Sequence, residues 1–340
     1  MLLKDAARGR NNNLNIIRFS AAVLVIYCHA YPLGNGSLDV LGRATENQMH
    51  FGNLAVCVFF FFGGFLISRS TEGSKNGLIF FKARCVRIFP CLALVVCLSA
   101  FVLGSCMSIY PPMEYFKNIQ TYQYLLNTFF ILKHNLPGVF EQNMLSTVNG
   151  SLWTLPVEFL CYIVCWCVYR TGWLREKRFR YTIPLFFAGY ICLRFLFREL
   201  ELLQTALRPC GMFYMGMAYY TYRSYIKLKY YYAGICIVGL VISSYIGALE
   251  YGVLLFLPYI LVYIGFGMKG IGCQFGRNYE LSYGMYLCAF PIQQTIVALF
   301  GGRMLPIWNF LFSVPFVLLA GFLLNIFVEK PLRRYLDSHG

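Results

Sequence analysis

Long apolar stretches recur along the whole chain, and this feature limits the possible folds more than any other. A helix needs about 20 apolar residues to cross about 30 Å of hydrocarbon, and ten segments approach that length. The alternating strands of an outer-membrane barrel, about ten residues each, are not apparent. We therefore predict an all-α, polytopic transmembrane helical bundle. The predicted spans are residues 14–33, 53–68, 88–109, 150–169, 181–198, 206–222, 231–247, 251–268, 280–300 and 306–328.

The composition excludes a soluble protein of this size. Of the 340 residues, 59% are hydrophobic and 13% are charged, against about 45–50% and about 25% in soluble domains. One soluble core cannot bury so much apolar surface, and disordered chains are rich in charge and poor in aromatic residues. The stretch 121–132 is apolar but too short to cross, so we expect it to lie at the interface or to re-enter.

The basic residues predict the orientation of the bundle. The net charge is +15, which in a soluble protein would suggest a nucleic-acid partner. Here, 21 Lys and Arg residues fall in the two tails and in the connections after even-numbered spans, and 6 fall on the other side. Because basic residues mark cytoplasmic loops, we predict that both termini are cytoplasmic, and we expect no nucleic-acid partner.

We expect a single integral-membrane domain over residues 1–340, because short connections join the spans, except for the external segment of about 110–149, and no soluble extension or internal repeat is visible. The first apolar run lacks a convincing cleavage site and is expected to remain as a span. The 14 cysteines lie mostly in apolar runs and form no CxxC pair. We therefore expect buried thiols rather than a disulfide or metal framework.

Ionisable side chains within a bilayer are costly, so each is a functional candidate. Arg18 and His29 lie in the first span. Their spacing separates them by about 16 Å along a helix and returns them to within about 20° of one face. That face carries a permanent cation near the cytoplasmic end and an imidazole near the outer end. Alternatively, Arg18 extends to the lipid headgroups and His29 is a hydrogen-bonded core residue.

Glu158 is a third candidate, about 12 Å into the fourth span from the outer side. His29 lies at a similar depth, so the two side chains can meet if their helices adjoin. A carboxylate beside the imidazole would orient it as a general base, which makes His29 and Glu158 the predicted catalytic residues. Alternatively, Glu158 pairs with an arginine and holds the bundle together.

Lys82, Arg84 and Arg87 form a cationic cluster at the start of the third span. The i, i+3 spacing puts both guanidinium groups on one helix face, which suits them to phosphate groups. The alternative is anchoring at the cytoplasmic surface or contact with lipid headgroups. In the second span, Gly63 and Gly64 interrupt an aromatic run, and such glycines allow close approach of a helix or a ligand.

Six sequence elements, which follow one another in the expected order, resemble the membrane acyltransferase type 3 family. Its members are bacterial integral-membrane proteins that O-acylate cell-surface sugars. The resemblance covers nearly the whole chain. Gly63 stands where that family usually has Ser, and Ala289 stands where it often has His, which puts more weight on His29. The six elements are the Arg18-to-His29 spacing, Phe60–Ile67, Arg84–Pro90, Ser151–Glu158, Ser282–Pro291 and Glu329–Pro331.

The resemblance implies an O-acyltransferase of the bacterial inner membrane, with acetyl as the favoured group and no permanently bound cofactor. Its acceptor would be a hydroxyl of a lipid-linked or polymeric periplasmic glycan, such as the O-antigen of lipopolysaccharide or an exopolysaccharide. Its donor would be acetyl-CoA or another acyl-CoA from the cytoplasm, held by Arg18, Lys82, Arg84 and Arg87. The candidate substrate-binding residues are Ser151, Trp153, Tyr283 and Tyr286.

Two other functions fit the same pattern. A transporter or flippase of lipid-linked sugars would also explain ten spans with intramembrane charges, although the related halves of many secondary transporters are not visible. A glycan polymerase is the third option. For Trp153 and the other outer aromatic residues, an interfacial belt is the alternative to sugar binding.

Overall fold

The computed structural model describes residues 1–9, 12–74, 76–268, 272–276 and 279–339. Within these residues the chain is helical, with no strand and only two isolated backbone bridges. A helix forms at each predicted position. Numbered α1–α10 in chain order, the long helices are Leu14–Gly34, Phe51–Gly73, Gly77–Cys97, Thr154–Arg170, Glu176–Leu196, Glu201–Thr221, Tyr230–Tyr245, Leu249–Val262, Ser282–Leu299 and Pro306–Leu324.

Seven of these helices, together with the turns that continue them, are long and apolar enough to cross a membrane: α1, α2, α3, α4, α5, α8 and α10. The continuing turns are Leu98–Leu103 and Gly104–Met107 after α3, Gly150–Trp153 before α4, Tyr263–Gly267 after α8, and Asn325–Glu329 and Lys330–His339 after α10. The all-α prediction is confirmed. Arg10, Lys75, Lys269 and Arg277, which enter the charge comparison, lie outside the described residues.

Local capping sets the start of α3. The helix begins at Gly77, because the Asn76 side chain accepts a hydrogen bond from the Leu78 backbone N–H at 2.9 Å. The prediction placed this start near residue 88. Arg84 and Arg87 therefore lie within the helix instead of preceding it, which fixes the direction in which both guanidinium groups leave the backbone.

Helices α2 and α6 cross with their backbones in direct contact. A Cβ atom added at Gly64 would lie 2.0 Å from the Phe213 carbonyl oxygen, and one added at Gly216 would lie 2.1 Å from the Phe61 carbonyl oxygen. Small residues allow such close helix packing in membranes. Gly63 is less constrained, because an added Cβ would meet the Phe213 ring at 3.5 Å, an ordinary contact.

Polar contacts hold α1 in the centre of the bundle, where it packs against α2, α9 and α10. Gln293 of α9 donates to the Ile26 carbonyl of α1 at 2.8 Å and to Asn309 Oδ1 of α10 at 2.7 Å. Both amide side chains are fully buried. Such interhelical hydrogen bonds stabilise membrane bundles modestly and fix the register of neighbouring helices.

The long connection between α3 and α4 is fastened to α9. Asn143 Nδ2 donates to the Gln294 carbonyl at 2.9 Å. The apolar stretch 121–132 lies in this connection and forms short helical turns, Ile119–Gln123 and Tyr124–Phe129. None of these turns is long enough to cross a membrane.

We expect Gly64→Ala to lower the free energy of unfolding by about 2 kcal/mol or more, because the added methyl group overlaps a backbone oxygen and forces α2 and α6 apart. Gly73→Ala is the matched control, since no atom lies within 4 Å of its added Cβ. Thermal unfolding in detergent measures both changes. Equal midpoints for the two variants would contradict the close backbone contact.

Candidate active site

Three arginines from two helices line a cavity that we call the Arg18 cavity. Arg18 comes from α1, and Arg84 and Arg87 come from one face of α3. Phe59, Phe60, Leu66 and other apolar side chains form much of the remaining wall. Apolar walls with a few convergent polar groups are typical of a small-molecule site.

Glu280 joins two of these arginines. Its carboxylate forms an ion pair with Arg18 Nη1, and the same oxygen lies 3.4 Å from Arg87 Nη2. Burial alone would raise the pKa of Glu280, but Arg18, followed by Arg87 and Arg333, lowers it to about 2. The carboxylate is therefore ionised throughout the neutral range. Glu280 was not among the predicted site residues, although its position two residues before the Ser282–Pro291 element could have identified it as a candidate.

The two arginines of α3 differ in the protein groups that they contact. Arg84 donates one hydrogen bond to Ser70 Oγ at 3.1 Å and lies over the Phe80 ring, but its buried Nε has no partner. Arg87 pairs with Glu280, and its side chain is 41% exposed because it faces the open cavity. Both guanidinium groups can therefore accept an anionic ligand, Arg84 directly and Arg87 in competition with Glu280.

Glu158 also lines the Arg18 cavity. Its carboxylate accepts a hydrogen bond from the Tyr162 hydroxyl one turn further along α4. In the described part of the chain it forms no ion pair with an arginine and no hydrogen bond with His29. The predicted contact between Glu158 and His29 is therefore not formed, because the two side chains face different cavities.

His29 lines a second cavity at the other end of α1; we call it the His29 cavity. The imidazole meets the Phe290 ring edge-on with centroids 5.1 Å apart, and its buried Nδ1 has no hydrogen-bond partner among the described residues. A buried polar atom without a partner is uncommon and marks a place where a ligand or water can bind. The alternative of a hydrogen-bonded core histidine does not hold for this nitrogen.

A second imidazole lies on the same cavity. His50 Nδ1 is 3.8 Å from the Asp39 carboxylate, which also accepts hydrogen bonds from the backbone N–H groups of Gly42 (2.7 Å) and Phe51 (2.8 Å). Gly42 leaves room for the ring, since an added Cβ would lie 2.5 Å from His50 Nδ1. Sequence reasoning missed Asp39 and His50, because neither lies within a predicted span.

The four candidate substrate-binding residues divide between the cavities. Ser151 and Trp153 line the His29 cavity, and Tyr283 lines the Arg18 cavity, where its hydroxyl donates to the Ile88 carbonyl at 2.8 Å. Tyr286 lines both. The cavities therefore adjoin, with a cationic site on one side and an unpartnered imidazole on the other.

Two residues singled out in the sequence lie away from both cavities. Lys82 is exposed on the outside of α3 and does not line the Arg18 cavity. Ala289 is fully buried in an apolar cluster with Ala22 and Ile26 of α1. Ala289, where the family that the chain resembles often has His, therefore packs in a contact between helices α1 and α9.

Comparison with known proteins gives one family and two relatives. A protein-family sequence model described as an acyltransferase domain matches residues 11–327. An O-acetyl transferase of Shigella phage Sf6 is 27% identical over 303 residues, which cover 85% of this chain and 86% of that protein. Nodulation protein 10 of Rhizobium leguminosarum bv. viciae is 30% identical over 184 residues, or 51% of this chain and 48% of that protein. No solved structure matches.

Replacing Glu280 by Gln should lower stability by about 1–3 kcal/mol, because Arg18 and Arg87 lose their charged partner, a partly exposed carboxylate. The pKa of the Glu280 carboxylate is lower in the folded state than in the unfolded chain. The stabilisation that Glu280 provides is therefore present above about pH 4.5 and is lost as the pH falls toward 2. Thermal unfolding of wild type and Glu280→Gln between pH 3 and pH 7 tests both points.

Glu199→Gln is the control for this comparison, since Glu199 is exposed and forms no ion pair within the described residues. The stability gap between wild type and Glu280→Gln should stay constant from pH 7 to pH 5 and narrow below that. A gap that widens on acidification would contradict the ionised state assigned to Glu280.

Proposed function

Because the chain belongs to the acyltransferase family, whose domain spans residues 11–327, we propose that it is a membrane O-acyltransferase that moves an acetyl group from acetyl-CoA to a glycan hydroxyl. One observation carries the proposal: a cationic cavity and a histidine cavity adjoin at Tyr286. A reaction between a phosphorylated donor and an alcohol needs such a pair of sites. The name of the phage relative supports acetyl as the group and oxygen as its acceptor.

The Arg18 cavity is the donor site of this proposal. The phosphate groups of CoA are multiply charged, and arginine binds phosphate oxygens through paired, charge-assisted hydrogen bonds. Arg84 offers an unused Nε–H, and Arg87 faces the cavity. The apolar wall, which includes Phe59 and Leu66, suits the uncharged pantetheine arm. The thioester would then lie toward Tyr286, where the cavities adjoin.

The His29 cavity is the acceptor site. His29 accepts the hydroxyl proton as general base, and the hydroxyl oxygen attacks the thioester carbonyl. The new C–O bond forms, the C–S bond breaks, and the departing thiolate takes up the proton from the imidazolium, so CoA leaves as the thiol and His29 returns to its neutral form. Trp153 and Ser151 line the same cavity and would contact the sugar, the indole by stacking and the hydroxyl by hydrogen bonding. Proton transfer of this kind contributes about 10²–10⁴-fold to a rate.

Glu158 takes a different part from the one predicted. Its carboxylate faces the donor site and accepts from Tyr162, so we assign it to the positioning of the donor. It holds the Tyr162 ring and adds a negative charge beside Arg84 and Arg87. This charge limits the net positive charge of the donor site, which helps the anionic product to leave.

The orientation follows from the distribution of basic residues. The Arg18 cavity lies at the end of the bundle where those residues gather, so the proposal has ten spans, both termini in the cytoplasm and the donor site open to the cytoplasm. The His29 cavity would then open to the periplasm of a bacterial inner membrane. The acceptor would be a lipid-linked or polymeric surface glycan. Acyl transfer across the bilayer would need no movement of the glycan through the membrane.

His29→Gln should reduce transfer by about 100-fold or more, because the general base is lost while the side-chain volume is nearly kept. The measurement is incorporation of label from acetyl-CoA into the glycan fraction of membranes, at matched protein levels. His134→Gln is the control, since His134 is exposed in the α3–α4 connection. Transfer that survives in His29→Gln at the level of the control would refute the assignment.

Arg84→Met should raise the KM for acetyl-CoA about tenfold or more with a smaller effect on kcat, because the guanidinium group that would contact the phosphate, and that lies over the Phe80 ring, is lost. Lys82→Met removes a cation from the same helix, on a side chain that lies off the cavity. Its KM should stay within about twofold of wild type. A similar rise in both variants would indicate general surface attraction in place of a defined donor site.

A further inference from the structure

Two residues form the boundary between the Arg18 cavity and the His29 cavity. Val56 of α2 and Tyr286 of α9 line both cavities. We infer that these two side chains form a rigid constriction that limits the transferred group to short acyl chains, with acetyl preferred over propionyl and butyryl. The inference rests on the proposed function and adds the acyl class that the same site accepts.

Tyr286 is held in place at both ends. Its hydroxyl donates to the Ser151 carbonyl at 2.8 Å and lies 2.7 Å from Thr154 Oγ1. Its ring meets Phe59 edge-on, with centroids 6.0 Å apart. A side chain fixed by two hydrogen bonds and a ring contact does not swing aside to admit a larger group without losing those contacts.

The helix that carries Tyr286 cannot move away easily either. A Cβ atom added at Gly284 of α9 would lie 2.9 Å from the Gly321 Cα of α10. On this side of the boundary, the backbone is therefore packed against its neighbour without a gap. Densely packed interiors resist such displacement.

Val56 is the second residue that lines both cavities. It is partly exposed toward the cavities, while its chain neighbours Ala55 and Cys57 are fully buried. A β-branched side chain on a helix has essentially one χ1 rotamer. Val56 therefore cannot rotate out of the boundary as a longer, unbranched side chain could.

The reaction must take place at this boundary. Arg18, Arg84 and Arg87 line only one cavity, and His29 lines only the other. Because Val56 and Tyr286 are shared by the two cavities, we expect a thioester held by the arginines to pass these side chains on the way to the proton acceptor. The C–O bond to the acceptor forms there as the C–S bond breaks, so the acyl tail beyond the carbonyl must fit between these walls and the acceptor. One methylene group too many typically costs 10–200-fold in such a pocket.

The test compares acetyl-, propionyl- and butyryl-CoA as donors in wild type, Val56→Ala and Val58→Ala. Val58 lies on the same helix, is buried, and lines neither cavity. Val58→Ala is therefore the control for the general effect of removing two methyl groups from α2. The measurement is kcat/KM for transfer of labelled acyl groups into the glycan fraction of membranes. Wild type should favour acetyl over butyryl by about 100-fold, and Val56→Ala should reduce that ratio about tenfold.

Tyr286→Phe is the second variant, because it removes both hydroxyl contacts and keeps the ring. It should also admit longer donors, whereas Val58→Ala should keep the wild-type ratio. Retained acetyl transfer shows that each variant is folded. Equal use of acetyl and butyryl by wild type, or an unchanged ratio in Val56→Ala, would refute the constriction. No transfer from any acyl-CoA by wild type would refute the proposed function, and the constriction with it.

Discussion

The cost of burying charge governs the arrangement of this bundle. Arg18 and Arg87 lie on different helices, and both face the carboxylate of Glu280. An uncompensated buried charge costs several kcal/mol, so the three groups hold α1, α3 and the segment before α9 together. Arg18 and Arg87 also line the Arg18 cavity, so the proposed donor site lies beside the ion pairs that join these helices.

Within the described residues, four residues that line the cavities carry a buried polar atom without a protein partner. They are Arg84 (Nε) and Ser282 (Oγ) in the Arg18 cavity, and His29 (Nδ1) and Ser151 (Oγ) in the His29 cavity. A buried polar atom of this kind lowers stability by about 1–3 kcal/mol. A donor phosphate and an acceptor hydroxyl would satisfy those of Arg84 and His29. The structure therefore gives up some stability at two places, and these places are the two ends of the proposed acyl transfer.

Much of the architecture and the composition of the site could be predicted before the structure was seen. Uncharged runs of about 20 residues specify membrane helices, because the bilayer excludes unpaired backbone groups. Helical periodicity placed Arg84 and Arg87 on one face, and the two residues do line one cavity. The same reasoning put Arg18 and His29 toward opposite ends of α1, and they line different cavities.

The relations between helices could not be predicted in this way. Depth along a span is a local property, so it placed Glu158 level with His29, but the rotation of α4 about its axis directs Glu158 into the Arg18 cavity. Asp39 and His50 lie between spans, and Glu280 lies two residues before α9, so helical periodicity does not identify them. The two arginines that pair with Glu280 are distant in the chain, and only the packing of the helices brings them close. Length and polarity act along one helix, whereas contacts between side chains depend on which helices adjoin and how each is turned.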